Sequence, residues 1–121
     1  MKKSNLKAIS FFLLIAMVVS LLSVNIFAEP VVYDVSVNGD GSVTATFDPE
    51  TSTLTIAGLG PMEDYTSSSG TDYKANKSNI KYVVIEEGVT SIGAHAFNGY
   101  TSLTSVYIPS TVTSIGDYAF R

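Results

Sequence analysis

Between Val31 and Val37 the chain mixes Val, Tyr, Asp and Ser in the alternation of a half-buried strand, and Asn38-Gly39-Asp40-Gly41 ends it with a strong turn signal. Ser42 to Phe47 alternates again, with Val43, Ala45 and Phe47 on one face. The stretch from Asp48 to Ser52 then reads as a loop, because Pro49 pre-sets a turn. Thr53 to Ala57 gives a third strand that buries Leu54 and Ile56. These three elements predict an antiparallel meander at the head of the domain. Gly58 to Asn79 has no period, which is long for a connection in a compact domain. Met62 and Tyr65 are expected to tack it down, and Tyr73 to begin a short helical turn.

From Ile80 onward the pattern changes to a repeat. Residues 80–98 and 103–121 align at an offset of 23, with nine of 19 positions identical and Ile80 matched by Leu103. Within each unit Val83 and Ile85, or Val106 and Ile108, alternate with outward residues as a short strand requires. Val89 and Ile92, or Val112 and Ile115, turn a second apolar line inward. Gly93 and Gly116 mark places where the backbone needs either positive φ or close approach to a neighbour. Ala96-Phe97 and Ala119-Phe120 close each unit, the Phe ring filling the far end of the core. A fixed period in this range is the mark of a stacked-repeat solenoid, in which no unit buries its apolar face alone. Its successive strands are expected to pair in parallel ~4.8 Å apart.

The first residues read as a targeting segment. Lys2, Lys3 and Lys7 precede an apolar run from Ala8 to Leu22, and small Ala28 offers a cleavage point before Glu29. The run of 15 residues is short for a membrane span, which needs ~20, so cleavage is expected rather than a retained anchor. Cleavage leaves residues 29–121, one small domain of 93 residues (121 less 28). That part carries four basic residues against 11 acidic ones, a net of −7. Such a balance argues against nucleic acid and against anionic membrane surfaces as partners. Cysteine is absent, which excludes thiol catalysis, thiolate metal sites and disulfides, so stability must come from apolar stacking.

The residues of the repeat carry a resemblance. Val-Thr-Ser-Ile-Gly followed two residues later by Ala-Phe occurs twice, at 89–97 and 112–120, joined through Leu-Thr-Ser-Val-Tyr-Ile-Pro-Ser-Thr at 103–111. This resembles the BspA-like leucine-rich repeats of bacterial surface proteins. Residues 43–79 are more loosely similar to the segment that often precedes such arrays, through Thr53-Leu54-Thr55-Ile56-Ala57-Gly58, Gly60-Pro61-Met62 and Asp64-Tyr65. Two departures stand out. The family's units usually carry Asn-Cys after Ala-Phe, whereas Asn98-Gly99-Tyr100 puts Tyr100 where Cys would sit, so that slot is either repacked or exposed. The family also stacks many coils, and the second unit here is incomplete at Arg121, as expected for the start of a longer, truncated protein. The resemblance implies secreted or surface-attached proteins that act in adhesion and bind host or matrix proteins. It brings no catalytic residue, because its motif positions are core positions.

Each candidate for chemistry has a simpler reading beside it. His95 is the only histidine, but it occupies the variable position filled by Tyr118 in the next unit, which suits a solvated surface residue better than a catalytic base. Asp34, Asn38 and Asp40 hint at a calcium loop, yet no Glu falls at the closing position, and a hairpin turn accounts for them. Gly58-Leu59-Gly60 lacks the third glycine of a dinucleotide loop. Glu86 and Glu87 are adjacent at a strand end, where side chains diverge, so a solvated turn is preferred to a glycosidase pair. Asn76-Lys77-Ser78 matches the glycosylation sequon.

The outward side of the strands is the remaining candidate surface. Tyr82, Val84 and Glu86 are expected to lie beside Ser105, Tyr107 and Pro109 of the second unit. Tyr is enriched at recognition sites, although the same residues also suit an ordinary sheet surface.

The sequence therefore predicts a mainly β protein: a signal peptide over 1–28, a β-rich head or capping segment with a long polar loop over 29–79, and over 80–121 one complete unit and a partial second of a right-handed leucine-rich-repeat solenoid. The expected function is non-catalytic binding in a secreted or cell-surface adhesion module, without cofactor or metal. Its ligand-facing residues would be Tyr82, Val84, Glu86, Ser105 and Tyr107, and its partner a host or matrix protein or another cell-surface ligand. No nucleic acid, no membrane insertion after signal cleavage, and self-association through an uncapped C-terminal end complete the expectation. The alternatives are an accessory repeat region of a larger exported hydrolase, or a structural spacer.

Overall fold

A computed structural model describes residues 28–66 and 76–121. The expected signal peptide and the helical turn at Tyr73 lie outside the described residues, apart from the exposed Ala28. The head forms the antiparallel meander. β1 (Val31–Asp34) pairs with β2 (Val43–Asp48), and β2 pairs with β3 (Thr53–Gly58). Strict alternation buries Val43, Ala45 and Phe47 from β2 and Leu54 and Ile56 from β3.

The first strand stops earlier than its alternation suggests. The Asp34 carboxylate folds back to accept hydrogen bonds from the Ser36 backbone N–H at 3.0 Å, the Ser36 hydroxyl at 2.6 Å and the Gly41 N–H at 3.0 Å. Ser36 Oγ in turn accepts from the N–H of Asp40 and of Gly41. This side-chain network turns the chain out of the regular ladder, as Asp and Ser commonly do at turns, although Val35 N–H still donates to Val43 O and Ser36 bridges to Met62. Val35 and Ser36 are consequently both buried, which breaks the period of two.

The repeats supply β5 (Tyr82–Ile85), β6 (Val89–Ile92), β7 (Ser105–Tyr107) and β8 (Ser114–Ile115), and a two-residue strand β4 (Gly60–Pro61) precedes them. Five strands form one sheet in the order β1-β2-β3-β5-β7, and β4-β6-β8 form a second. The pairs β3–β5, β5–β7, β4–β6 and β6–β8 are all parallel. Val83 pairs with Val106 and Ile92 with Ile115, so matching residues of the two sequence units lie side by side.

Part of the segment read as an unstructured connection takes the place of another unit. The Glu86 N–H donates to Ile56 O, Gly60 N–H to Gly88 O, Met62 N–H to Ser91 O and Tyr65 N–H to Ala94 O. Residues 53–65 thus lie along β5 and β6 as those strands lie along β7 and β8. Met62 and Tyr65 are buried, as expected of tacking residues. β4 escapes pattern reading because Gly60 and Pro61 pair through backbone alone, and two residues show no alternation.

Gly93 and Gly116 serve close approach. Neither has positive φ, but a Cβ at Gly93 would run into the Glu63 carbonyl, and one at Gly116 into the Ala94 backbone. The left-handed positions fall instead on His95 (φ 55°) and Tyr118 (φ 56°), which correspond between the units.

Burial declines along the chain. Ile85, Ile92 and Phe97 are at most 1% exposed, whereas Ile108, Ile115 and Phe120 are 39%, 52% and 40% exposed. Ile108 and Ile115 therefore do not join the core as the alternation predicts. β7 and β8 are the last strands of their sheets, and no further strand covers them among the described residues.

Candidate binding face

The outward side of the five-stranded sheet is built by pleating. Since Val83 and Ile85 point into the core, Tyr82, Val84 and Glu86 must point away from it. Tyr82 pairs with Ser105 and Val84 with Tyr107. Tyr82 and Tyr107 are 45% and 59% exposed, Val84 is half-buried, and Glu86 and Ser105 are exposed. Pro109 departs from the expectation and is buried. Without an N–H it cannot extend the ladder past Tyr107, and its carbonyl accepts from Val112 N–H at 3.2 Å as the chain turns.

The face continues into the head, which sequence reasoning missed. Val32 pairs with Thr46, Thr46 with Thr55, Thr55 with Val84 and Val84 with Tyr107, giving one row across all five strands. A second row runs Asp48, Thr53, Tyr82, Ser105. The Thr-x-Thr spacing in both β2 and β3 is a readable sign of a polar outward face. The register that joins it to Val84 and Tyr107 is not readable, because a connection without a period separates β3 from β5.

The other candidates resolve into structure. His95 is half-buried at the surface: Asn98 Nδ2 lies 2.9 Å from its Nδ1, and its ring centroid is 5.2 Å from that of Tyr118. Hydrogen bonds from Ser36 and Gly41 hold the Asp34 carboxyl below its ordinary range, and hydrogen bonds from Ser42 and Ser36 do the same for Asp40. These carboxylates are engaged in the hairpin turn. Among the described residues no group of three or more His, Cys, Asp or Glu is placed to hold a metal ion. Glu86 and Glu87 are exposed at a turn. The amide of Asn76, the sequon residue, donates to the Tyr33 hydroxyl at 3.1 Å.

Tyr100 fills the slot where Cys was expected by repacking. It is 7% exposed and meets Phe97 edge-on, with centroids 5.5 Å apart. Its hydroxyl has no hydrogen-bond partner among the described residues, and burial pushes the phenol far above its ordinary range.

Residues 70–121 match the family model described as a BspA type leucine rich repeat region of six copies. Over these residues the chain is similar to BspA-type leucine-rich repeats. A crystal structure of a leucine-rich repeat protein from Eubacterium ventriosum is similar at a TM-score of 0.68 and 35% identity, covering 77% of this chain. Residues 70–121 are less than half of the chain, so this likeness takes in residues ahead of the repeats. The chain spans 24% of the length of that solved protein. Among curated proteins, none matches this chain. Leucine-rich repeat families are repeat modules that commonly mediate protein–protein interaction and are generally non-catalytic.

Proposed function

We propose that this chain is part of a secreted or cell-surface adhesion module that binds another protein without catalysis. In this reading residues 1–28 direct export and are removed. Residues 29–79 cap a solenoid of 23-residue leucine-rich repeats, and residues 80–121 are its first units. The observation that carries the proposal is the outward row in which Val84 lies beside Tyr107, with Tyr82 beside Ser105. Two exposed tyrosines on a sheet surface offer a rigid, amphipathic contact area of the kind enriched at recognition sites. Glu86 sits at the edge of that area and sets its charge. The partner is a host or matrix protein, engaged on a sheet surface rather than in a pocket.

The test is capture of a panel of soluble matrix proteins by the full chain coupled to beads. Replacing Tyr82 and Tyr107 with Ala should lower capture at least tenfold while leaving the circular dichroism spectrum unchanged. Capture that survives both replacements would move the binding surface elsewhere.

A further inference from the structure

The five strands of the large sheet contain no Lys or Arg, yet carboxylates stand at both ends of its outward face. At one end Asp48 shares a row with Thr53, Tyr82 and Ser105. At the other, Asp34 pairs with Thr44, Thr44 pairs with Ala57, and Glu86 lies one residue past Ile85, the partner of Ile56. Between these ends runs the row Val32, Thr46, Thr55, Val84, Tyr107, which is uncharged. Lys81 precedes Tyr82, lies just outside β5 and is exposed. Asp48 and Thr44 are four positions apart on β2, which separates the two ends by roughly 14 Å at ~3.4 Å per residue.

We propose that this face docks a basic protein segment, in which Lys or Arg residues on either side of a short apolar stretch meet Asp48 at one end and Asp34 and Glu86 at the other, while the apolar centre lies on Thr55, Val84 and Tyr107. This rests on the reading of the outward sheet as a binding surface and adds the chemistry of its partner. The arrangement is an uncharged centre with a charged rim, the division of labour common at protein interfaces. Complementary rim charge speeds encounter and suppresses partners of the wrong sign. Threonine and tyrosine hydroxyls on the central rows can accept hydrogen bonds from a segment's backbone or side chains. Hydrogen bonds from Ser36 to Asp34, and from Thr51 and the Glu50 N–H to Asp48, keep both carboxylates ionised into the acid range.

The probe is a fluorescein-labelled peptide with two lysines on each side of a Leu-Tyr-Leu centre, compared with the same peptide carrying glutamate for lysine. Titration of the full chain should show the lysine peptide binding at least tenfold more tightly, with the difference shrinking between low and high salt. Val84→Lys should weaken the lysine peptide about tenfold, whereas Glu63→Gln, an equal charge change off this sheet, should alter it less than twofold. Thr55→Lys supplies a second test if Val84→Lys fails to fold. Equal binding of the two peptides would overturn the assignment, as would equal weakening by Glu63→Gln and Val84→Lys, or displacement by the neutral oligosaccharide maltohexaose. If the glutamate peptide binds instead and the tyrosine replacements abolish its binding, only the partner's charge is wrong. If the matrix-protein capture described above is also insensitive to those replacements, the face itself is not the binding surface.

Discussion

The rings of Phe97 and Phe120 stack with centroids 5.2 Å apart and planes 18° from parallel, although Phe97 is 1% exposed and Phe120 is 40% exposed. The two residues are equivalent in sequence and touch in space, but only one is enclosed. Removing Phe97 leaves a cavity between neighbouring chain turns, while removing Phe120 trims a surface that water already reaches. Phe97→Ala should therefore destabilise the fold by about 3–5 kcal/mol and Phe120→Ala by less than half of that. Urea unfolding of the two variants checks the asymmetry.

Gly93→Ala should be among the most damaging single-methyl changes in the chain. The added carbon would meet the Glu63 carbonyl, which is backbone held by the Glu63 N–H bond to Val35 O and by the neighbouring Tyr65 N–H bond to Ala94 O. A loss of about 3 kcal/mol or more is expected, at the upper end for overpacking. A thermal melt of Gly93→Ala that matches the parent would show that the backbone is not so close there.

Tyr100→Phe should raise the melting temperature. The buried hydroxyl has no partner among the described residues, and an unmet buried polar group costs about 1–3 kcal/mol. The same residue sets a pH dependence. Burial raises the native phenol above its unfolded value near 10.0, so on the alkaline side the unfolded chain loses this proton first. Stability contributed by neutral Tyr100 is complete below pH 10 and falls as pH rises beyond it. Tyr100→Phe should flatten that fall, which denaturant titrations at pH 8 and pH 11 would show.

The parts of the fold that announced themselves in the sequence are those where side chains carry the pattern. Val83, Ile85, Val89, Ile92 and Phe97 repeat with their second-unit partners, and strict alternation exposed the buried faces of β2 and β3. The outward direction of Tyr82 and Tyr107 followed from the same alternation. What stayed hidden is held by backbone. Gly60 and Pro61 join β6 without a side-chain signature, and the parallel register of Thr55 on Val84 depends on contacts across an aperiodic segment. The left-handed residues His95 and Tyr118 gave no sign either, because glycine or asparagine usually marks that conformation. Ile108 and Ile115 carried the core pattern in full, yet their burial depends on a covering strand that pattern alone does not supply.

The exposed Ile108, Ile115 and Phe120, with the edges of β7 and β8 unpaired among the described residues, should make this chain self-associate. Sedimentation velocity is expected to show a concentration-dependent rise in mass, reduced by Ile115→Lys. A stable monomer across the accessible range would contradict this.

The most direct test of the account is the set of nuclear Overhauser contacts between the two units. Cross-peaks between the Phe97 and Phe120 rings, together with contacts from Val84 to Tyr107 and from Ile92 to Ile115, are the predicted result. Strong cross-peaks from Phe97 to its own unit with none to Phe120 would show that the units do not lie against one another, and the shared outward face would be lost with them.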